Sequence, residues 1–426
     1  MKSLKIGLLG LGTVGGGVYS LIKRKKSLIE ARSGIRLDLV RMADRNQSFP
    51  FPIDRKIFTR QAEPVLKDPR VEVVVELIGG LHPALEFVLT ALKNGKDVVT
   101  ANKALLAEYG DQIYRTAEKY GQHVFFEASV GGGIPVIQAL REGLVANQVQ
   151  SIYSIINGTS NYILSEMSER HVDFSAALKD AQKKGYAEAN PKLDVEGIDA
   201  AHKLTVLASL AFGKMISFKD VYAEGITQIR SEDIQFADEF GYCVKLLAIA
   251  KKMSGGVEAR VQPTLVPKTH PLANVNGAFN AVLIRSDETG DLLFYGRGAG
   301  SEPTASAVVS DLVALAKARE LPRNFSAPKF PKGKLQVKKI STILSRYYLR
   351  FHVVDRPGVL AKITQILGKY KISISDVIQK EWRVGKVVPL ILLTHFAHEE
   401  SVRKALLAID RLSVINGKSQ VLRIEA

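Results

Sequence analysis

Three short segments of this 426-residue chain carry residue types at spacings that can do chemistry. The first is Gly10-Leu11-Gly12-Thr13-Val14-Gly15, which ends an apolar run (5–11) and opens a stretch with helical spacing (14–25). A glycine at 10 permits a tight turn, one at 12 lets a pyrophosphate approach the backbone, and one at 15 lets helix and strand pack closely. The helix N-terminus at Thr13 and Val14 then offers N–H groups and a positive dipole end to phosphate. Alone the pattern is weak; the strand before it and the helix after it mark a dinucleotide site. The second segment is Thr100-Ala101-Asn102-Lys103, which follows a strand. Parallel sheets bind ligands beyond the carboxyl ends of their strands, so Lys103 stands near a bound nicotinamide. A plain surface lysine is the alternative. The third runs from Gly185-Tyr186-Ala187-Glu188 through Asp194 to Asp199 and Lys203. Asp199 and Lys203 are four apart and share a helix face. On a surface they are an ordinary ion pair worth about 0.3–0.5 kcal/mol. In a pocket, the ammonium supplies a proton to a carbonyl oxygen as a hydride arrives. Asp199 then orients that lysine or holds a polar substrate, and Glu188 pairs with a substrate ammonium.

The elements that must position these residues alternate. Strands are expected at 5–11, 37–42, 71–78, 97–100 and 123–126, and helices at 14–25, 83–93 and 105–120. The continuous apolar run around Val73-Val74-Val75 suits a strand buried on both faces. This alternation predicts a doubly wound α/β sheet of the Rossmann type. At the end of its second strand lies Arg41-Met42-Ala43-Asp44-Arg45-Asn46. Asp44 suits an unphosphorylated ribose and Arg41 or Arg45 a 2′-phosphate, so both NAD and NADP stay open. From about Pro135 longer helices mix with strands such as 151–156 and 258–265, as in an α+β domain. Residues 321–346 form a break with Pro322, Pro328 and Pro331, and with seven basic residues, Arg323, Lys329, Lys332, Lys334, Lys338, Lys339 and Arg346. They read as an extended linker with a solvated basic face. From Tyr347 the order β-α-β-β-α-β matches a ferredoxin-like sandwich.

Composition narrows the function class. Apolar residues are 46% and charged residues 24%, as in an ordinary globular protein. No run approaches the roughly 18–20 apolar residues of a membrane span, and a cytoplasmic protein is expected. One cysteine, Cys243, excludes an intrachain disulfide and reads as a small buried apolar residue. The net charge of +16 raises a nucleic-acid partner as a possibility. The basic residues are dispersed, however, and no aromatic-basic platform accompanies them. A basic enzyme with anionic ligands is the plainer reading.

The chain resembles homoserine dehydrogenases. The resemblance rests on Asn157-Gly158-Thr159-Ser160-Asn161-Tyr162-Ile163-Leu164, the segment from Gly185 to Lys203, and Thr100 to Lys103. It also rests on Tyr295-Gly296-Arg297-Gly298-Ala299-Gly300, leading to Pro303-Thr304-Ala305-Ser306-Ala307. It implies reversible, NAD(P)H-dependent reduction of L-aspartate 4-semialdehyde to L-homoserine, toward threonine, methionine and isoleucine. It further implies Lys203 as general acid/base, Lys103 beside nicotinamide and substrate, and Glu188, Asp194 and Asp199 as substrate ligands. Backbone at Gly185, Gly296 and Gly298 would approach the cofactor. Glu127-Ala128-Ser129-Val130-Gly131-Gly132-Gly133-Ile134-Pro135 resembles a monovalent-cation loop. Carbonyls of Glu127, Val130, Gly132 and Ile134 would hold sodium; the residues themselves reveal only a glycine-rich turn. His202 stands where arginine is common in the family, with little expected consequence.

Val353-Val354-Asp355-Arg356-Pro357-Gly358-Val359-Leu360 resembles the opening loop of an ACT domain. It implies an amino-acid effector, threonine first, held near Asp355, Gly358 and Val359. It also implies side-by-side pairing in a homodimer or homotetramer. A pairing module that no longer binds ligand is the alternative, since Trp382 and the strand edges suit either role. The expected organisation is a nucleotide-binding domain at 1–134 and a catalytic and dimerisation domain at 135–320, with 296–318 returning to the first. The linker 321–346 and the ACT domain 347–426 follow. With no kinase unit ahead of the nucleotide fold, the form expected is monofunctional. Truncation near residue 330 is expected to spare activity and remove threonine sensitivity. Two other readings stay open: another NAD(P)-dependent reductase, and a catalytically silent sensor. Retention of both Lys103 and Lys203 speaks against the sensor.

Overall fold

The computed structural model describes residues 2–320, 330–331, 333–380 and 385–425. Pro322, Arg323, Pro328, Lys329, Lys332 and Trp382 lie outside the described residues. By compactness the chain divides into two units. One comprises Met1–Gly158, Asp199–Val221 and Phe279–Gln336; the other comprises Thr159–Ile198, Tyr222–Ala278 and Val337–Ala426.

The first unit begins as a parallel sheet. Its strands are β1 (Lys2–Leu9), β2 (Ile35–Ala43), β3 (Phe58–Thr59), β4 (Val73–Glu76), β5 (Asp97–Thr100) and β6 (Val124–Phe125). They lie in the order β3-β2-β1-β4-β5-β6. The helices between them are α1 (Thr13–Arg24), α2 (Lys26–Ser33), α3 (Glu63–Lys67), α4 (Ala84–Lys93) and α5 (Lys103–Tyr120). All four β4 side chains are buried, as a strand covered on both faces requires. β4 is shorter than the expected 71–78, because the chain turns away through Gly79 and Gly80, both at positive φ. α5 starts two residues earlier than its apolar pattern, because the Asn102 side chain accepts a hydrogen bond from Leu105 N–H.

The chain then passes through a single-turn helix, α6 (Val136–Gln138), to β7 (Val149–Ile155). β7 pairs antiparallel with β11 (Phe279–Ser286), which pairs antiparallel with β12 (Gly290–Arg297). α10 (Ile198–Ala211) is buried from Asp199 through Ser209, so its polar residues need partners inside the protein. α12 (Ser301–Ala318) packs on α1, where a Cβ at Gly17 would strike Ser301 and Ala305. Val18, Tyr19 and Ile22 of α1 share one apolar core with Ala305, Val308, Leu312 and Leu315 of α12.

The second unit contains α7 (Gly158–Arg170), α8 (Phe174–Lys183), α9 (Lys192–Val195), β8 (Tyr222–Ala223) and α11 (Ser231–Glu239). A long hairpin follows, β9 (Tyr242–Met253) with β10 (Gly256–Pro267). Its C-terminal part runs β13 (Leu344–Val354), α13 (Val359–Lys369), β14 (Ile374–Ile378), β15 (Val387–Thr394), β16 (Ala397–His398), α14 (Glu399–Ile409) and β17 (Gln420–Ile424). This is the β-α-β-β-α-β order with antiparallel strands ordered β17-β13-β15-β14, plus the two-residue β16. The helices cover a core of Tyr347, Leu349, Phe351, Ile363, Leu367 and Leu390.

The last strand joins two sheets. β17 pairs antiparallel with β13 and parallel with β10, so β9-β10-β17-β13-β15-β14 is one continuous sheet. Buried ion pairs follow the same seam. Arg260 of β10 meets Glu425, and Arg423 of β17 meets Glu399 and Glu224. Truncation near residue 330 therefore removes β17 from the edge of β10, Glu425 from Arg260 and Arg423 from Glu224, leaving Arg260 with Glu258 at 2.7 Å and Glu224 with the Tyr222 hydroxyl at 2.8 Å. Among the described residues, no helix is long and apolar enough to cross a membrane.

Candidate active site

The glycine loop is built as its sequence requires. Gly10 has φ +92°, and a Cβ there would stand 2.6 Å from the Leu77 carbonyl oxygen. A Cβ at Gly15 would overlap the Gly10 carbonyl, whereas one at Gly12 meets nothing within 4 Å. Two of the glycines are thus demanded by backbone packing, and the third faces open space. α1 starts at Thr13 with no side chain capping it, so its first N–H groups are offered to a ligand. A cavity of about 540 Å³ adjoins the loop and is lined by Gly12, Thr13, Arg24, Asn46 and Ser301 among others. Loop, bare helix start and cavity together fit a dinucleotide. Asp44 accepts hydrogen bonds from Leu11 N–H at 2.6 Å and Asn46 N–H at 2.8 Å, fastening the end of β2 to the loop. Arg41 is held by Asp68 at 2.8 Å, while Arg45 is exposed.

Lys103 is the first residue of α5, and Glu76 positions the turn before it. Glu76 is fully buried at the carboxyl end of β4. One carboxylate oxygen accepts from Ile78 N–H (2.9 Å) and Gly79 N–H (3.2 Å); the other accepts from the Thr100 hydroxyl (2.6 Å). Thr100 Oγ1 accepts from Asn102 N–H, and Asn102 Nδ2 donates to the Gly80 carbonyl at 2.7 Å. Glu76 thereby ties together the turns that follow β4 and β5.

Asp199 is the centre of the cluster. Its Oδ2 lies 2.6 Å from Lys203 Nζ and its Oδ1 3.3 Å from Lys103 Nζ. Asn157 Nδ2 also donates to Oδ2 at 2.9 Å, and Lys203 Nζ donates to the Ile156 carbonyl at 2.8 Å. Burial pushes the Asp199 carboxyl upward, but the Lys203 and Lys103 ammonium groups outweigh it and hold the group far below the usual carboxylate range. Asp199 and Lys203 are buried; Lys103 is half-buried. His202 stacks on Phe218 with ring centroids 4.2 Å apart, and burial pulls its imidazole below its ordinary pKa. Residue type and spacing pair Asp199 with Lys203. They give no reason to add Asn157 or Glu76, whose partners are distant in sequence.

The proposed cation loop lies in the same unit. Gly131 and Gly132 are at φ +74° and +56°, and a Cβ at Gly132 would stand 2.6 Å from the Gly298 carbonyl group. The Gly298 backbone packs against the Asn280 amide, and a Cβ at Gly296 would touch Ile134 at 3.2 Å. The structure thus brings Gly132 and Ile134 to Gly296 and Gly298. The Glu127 carboxylate accepts from Ile137 N–H (2.9 Å) and Gln138 N–H (2.7 Å), and Glu127 N–H donates to Asp311 at 2.8 Å. Burial raises the carboxyl pKa of both Glu127 and Asp311. Val130 is fully buried. The chain offers oxygen donors here, the kind that hard cations prefer.

Gly185, Glu188 and Asp194 belong to the second unit. Gly185 ends α8 at φ +77°, and Thr159 Oγ1 donates to the Tyr186 carbonyl at 2.6 Å. Glu188 is exposed; Asp194 is half-buried in α9, with its carbonyl accepting from Ser160 Oγ at 2.9 Å. In the C-terminal part, Asp355 follows β13 and accepts from Gln379 Nε2 at 3.2 Å, while its N–H donates to the Lys386 carbonyl at 2.8 Å. Gly358, at φ +85°, is the N-cap of the eleven-residue α13, and Val359 is its buried first residue.

Three family models match the chain: the homoserine dehydrogenase NAD-binding domain over residues 10–127, homoserine dehydrogenase over 135–313, and the ACT domain over 347–412. The homoserine dehydrogenase of Pseudomonas aeruginosa is 44% identical over 431 residues, covering 100% of this chain and 99% of the relative. That of Neisseria gonorrhoeae is 44% identical over 432 residues, with the same coverage. The crystal structure of a homoserine dehydrogenase from Thiobacillus denitrificans superposes with a TM-score of 0.93 at 46% identity, covering 100% of this chain and 99% of that one. With the glycine loop and the Lys103–Asp199–Lys203 cluster in place, these full-length matches establish that the chain belongs to the homoserine dehydrogenase family of NAD(P)-dependent oxidoreductases.

Proposed function

We propose that the chain interconverts L-aspartate 4-semialdehyde and L-homoserine with Lys203 as its general acid/base. The observation that carries this role is Asp199, one buried carboxylate gripping two lysines at 2.6 and 3.3 Å. Bound NAD(P)H supplies the hydride to the aldehyde carbon. Lys203 gives its proton to the oxygen that becomes the hydroxyl, and takes it back in the reverse direction. Asp199 orients Lys203, Asn157 fixes the Asp199 carboxylate, and the Ile156 carbonyl restricts the movement of Lys203. Lys103 places a second positive charge beside the developing alkoxide. Glu188 and Asp194 are assigned to the polar end of the substrate by resemblance. Gly10, Gly12, Thr13, Val14 and Gly15 are assigned to the pyrophosphate, and Lys103, Gly185, Gly296 and Gly298 to other parts of the cofactor. Sodium on the carbonyls of Glu127, Val130, Gly132 and Ile134 is the finer part of this reading. The glycine turn, with Gly131 and Gly132 buried, supports it.

Regulation by an amino acid, threonine first, is assigned to Asp355, Gly358 and Val359, in a cytoplasmic homodimer or homotetramer. A catalytically silent sensor is not favoured, since the lysine pair and its carboxylate are intact. Another reductase is not favoured beside full-length family matches. The test is loss of reduced-nicotinamide absorbance with aspartate semialdehyde, run with NADH and NADPH, with and without threonine. Rapid oxidation is expected, with threonine inhibition that Asp355→Ala weakens. No oxidation with either cofactor, in folded protein supplied with sodium or potassium, overturns the activity.

A further inference from the structure

The second unit contains a cavity of about 240 Å³ that shares no lining residue with the groups above. One wall is α7, with Ser165 and Ser168; the floor is β9, with Cys243 and Lys245; the far wall is the loop from Lys268 to Asn276. At about 30 Å³ per water molecule, its volume suits a small organic molecule better than a single ion. Lys245 is only 3% exposed. Its Nζ donates to the Val275 carbonyl at 2.7 Å and to Asn276 Oδ1 at 2.8 Å. Both partners are neutral, and an ammonium has three protons to give. Among the described residues, no carboxylate lies within 4 Å of it. Burial of an uncompensated cation is costly, and it pulls the Lys245 pKa below the usual lysine value. The negative groups stand at other places on the lining. Asp238 is held by Lys268 at 2.6 Å, both well exposed, and Glu169 is exposed.

We infer that this cavity is a second small-molecule site, for a small amino carboxylate whose carboxylate meets Lys245 and whose ammonium faces Glu169 and Asp238. The carboxylate supplies the missing counter-charge and a charge-assisted hydrogen bond. The acidic pair disfavours a dianion and suits a zwitterion. A purely structural lysine, pinning the 275–276 turn, needs no ligand, and the two readings separate by experiment.

Cys243 lines the cavity and is the only cysteine in the sequence, so its alkylation reports occupancy. The full chain is treated with iodoacetamide in the presence of 4-aminobutyrate or, at equal concentration and ionic strength, 4-aminobutanamide. Saturable slowing of Cys243 alkylation by roughly fivefold, at millimolar 4-aminobutyrate, is expected, with little effect of the amide. Lys245→Met abolishes the protection. Because that change also removes two bonds to the turn, Glu169→Gln at its exposed position is the second arm and weakens protection severalfold. Absence of protection, equal protection by the amide, or full protection in a folded Lys245→Met protein overturns the site and leaves Lys245 a turn-pinning residue.

Discussion

Two regions of the molecule bury the same kind of charge to opposite ends. In the first unit, Asp199 is shared by Lys203 and the half-buried Lys103. In the second, Asp233 is fully buried and gripped twice by Arg350, through Nε at 2.6 Å and Nη2 at 3.1 Å. Tyr348 adds a hydroxyl to Asp233 at 3.1 Å. Glu399 is gripped twice by Arg423, at 2.8 and 2.5 Å. A guanidinium keeps its proton at any physiological pH and matches a carboxylate in a two-point fork. Arginine pairs therefore suit a permanent seam. Lysine is a single-point donor that releases a proton, and one carboxylate between two lysines leaves donors to spare for a substrate. The choice of cation separates the reactive cluster from the structural one.

Lys203→Ala and Lys203→Arg break the comparison most sharply. Both lower turnover by about 10²–10⁴-fold, the worth of a positioned acid, with cofactor affinity nearly unchanged. Turnover of the arginine variant within a few-fold of wild type ends the proton-donor role. Arg350→Met is the structural counterpart. It leaves Asp233 buried without its main partner and costs about 3–5 kcal/mol in denaturant unfolding, while turnover per folded molecule is kept. A loss below about 1 kcal/mol means that Asp233 finds water or Tyr348 sufficient.

Glu76→Gln tests positioning within the first unit. It keeps the side chain's size but weakens its hold on Thr100 and the 78–79 turn. A rise of about tenfold in the cofactor KM is expected, the equivalent of one charged hydrogen bond, with a smaller change in kcat. Equal loss in both, with lowered Tm, marks Glu76 as merely structural. The smallest effect is a pH dependence. The folded pKa of Asp199 is depressed below its unfolded value, so its stabilising contribution is complete above about pH 4. It is lost as pH falls through the folded value. The stability gap between wild type and Asp199→Asn therefore closes on acidification below about pH 4, and remains constant above it. A gap that widens there reverses the assigned sign.

Much of this was legible in the sequence. The pairing of Asp199 with Lys203 follows from one helical turn, and the Gly10–Gly15 loop from local backbone demands. The β-α-β-β-α-β order follows from periodicity. What was not legible joins residues distant in the chain. Asn157 reaches Asp199 across 42 residues, Glu76 reaches Thr100 across 24, and Arg260 reaches Glu425 across 165. No local pattern encodes such contacts. Cys243, read as a buried apolar residue, is only partly buried and lines a cavity instead.

The sequence by itself determined the alternation of strands and helices in the nucleotide-binding part and the β-α-β-β-α-β order at the C-terminal end, where glycine is obligatory in the Gly10–Gly15 loop, and which family the chemistry resembles. These depend on steric and hydrophobic preferences that act over a few residues. Only the tertiary structure decided that Lys103 and Lys203 share one carboxylate. It alone placed β17 beside β10, joining the C-terminal strands to the β9–β10 hairpin, and left Lys245 buried among neutral acceptors. Those outcomes depend on which buried polar groups find partners once the elements pack, and packing is a property of the whole fold.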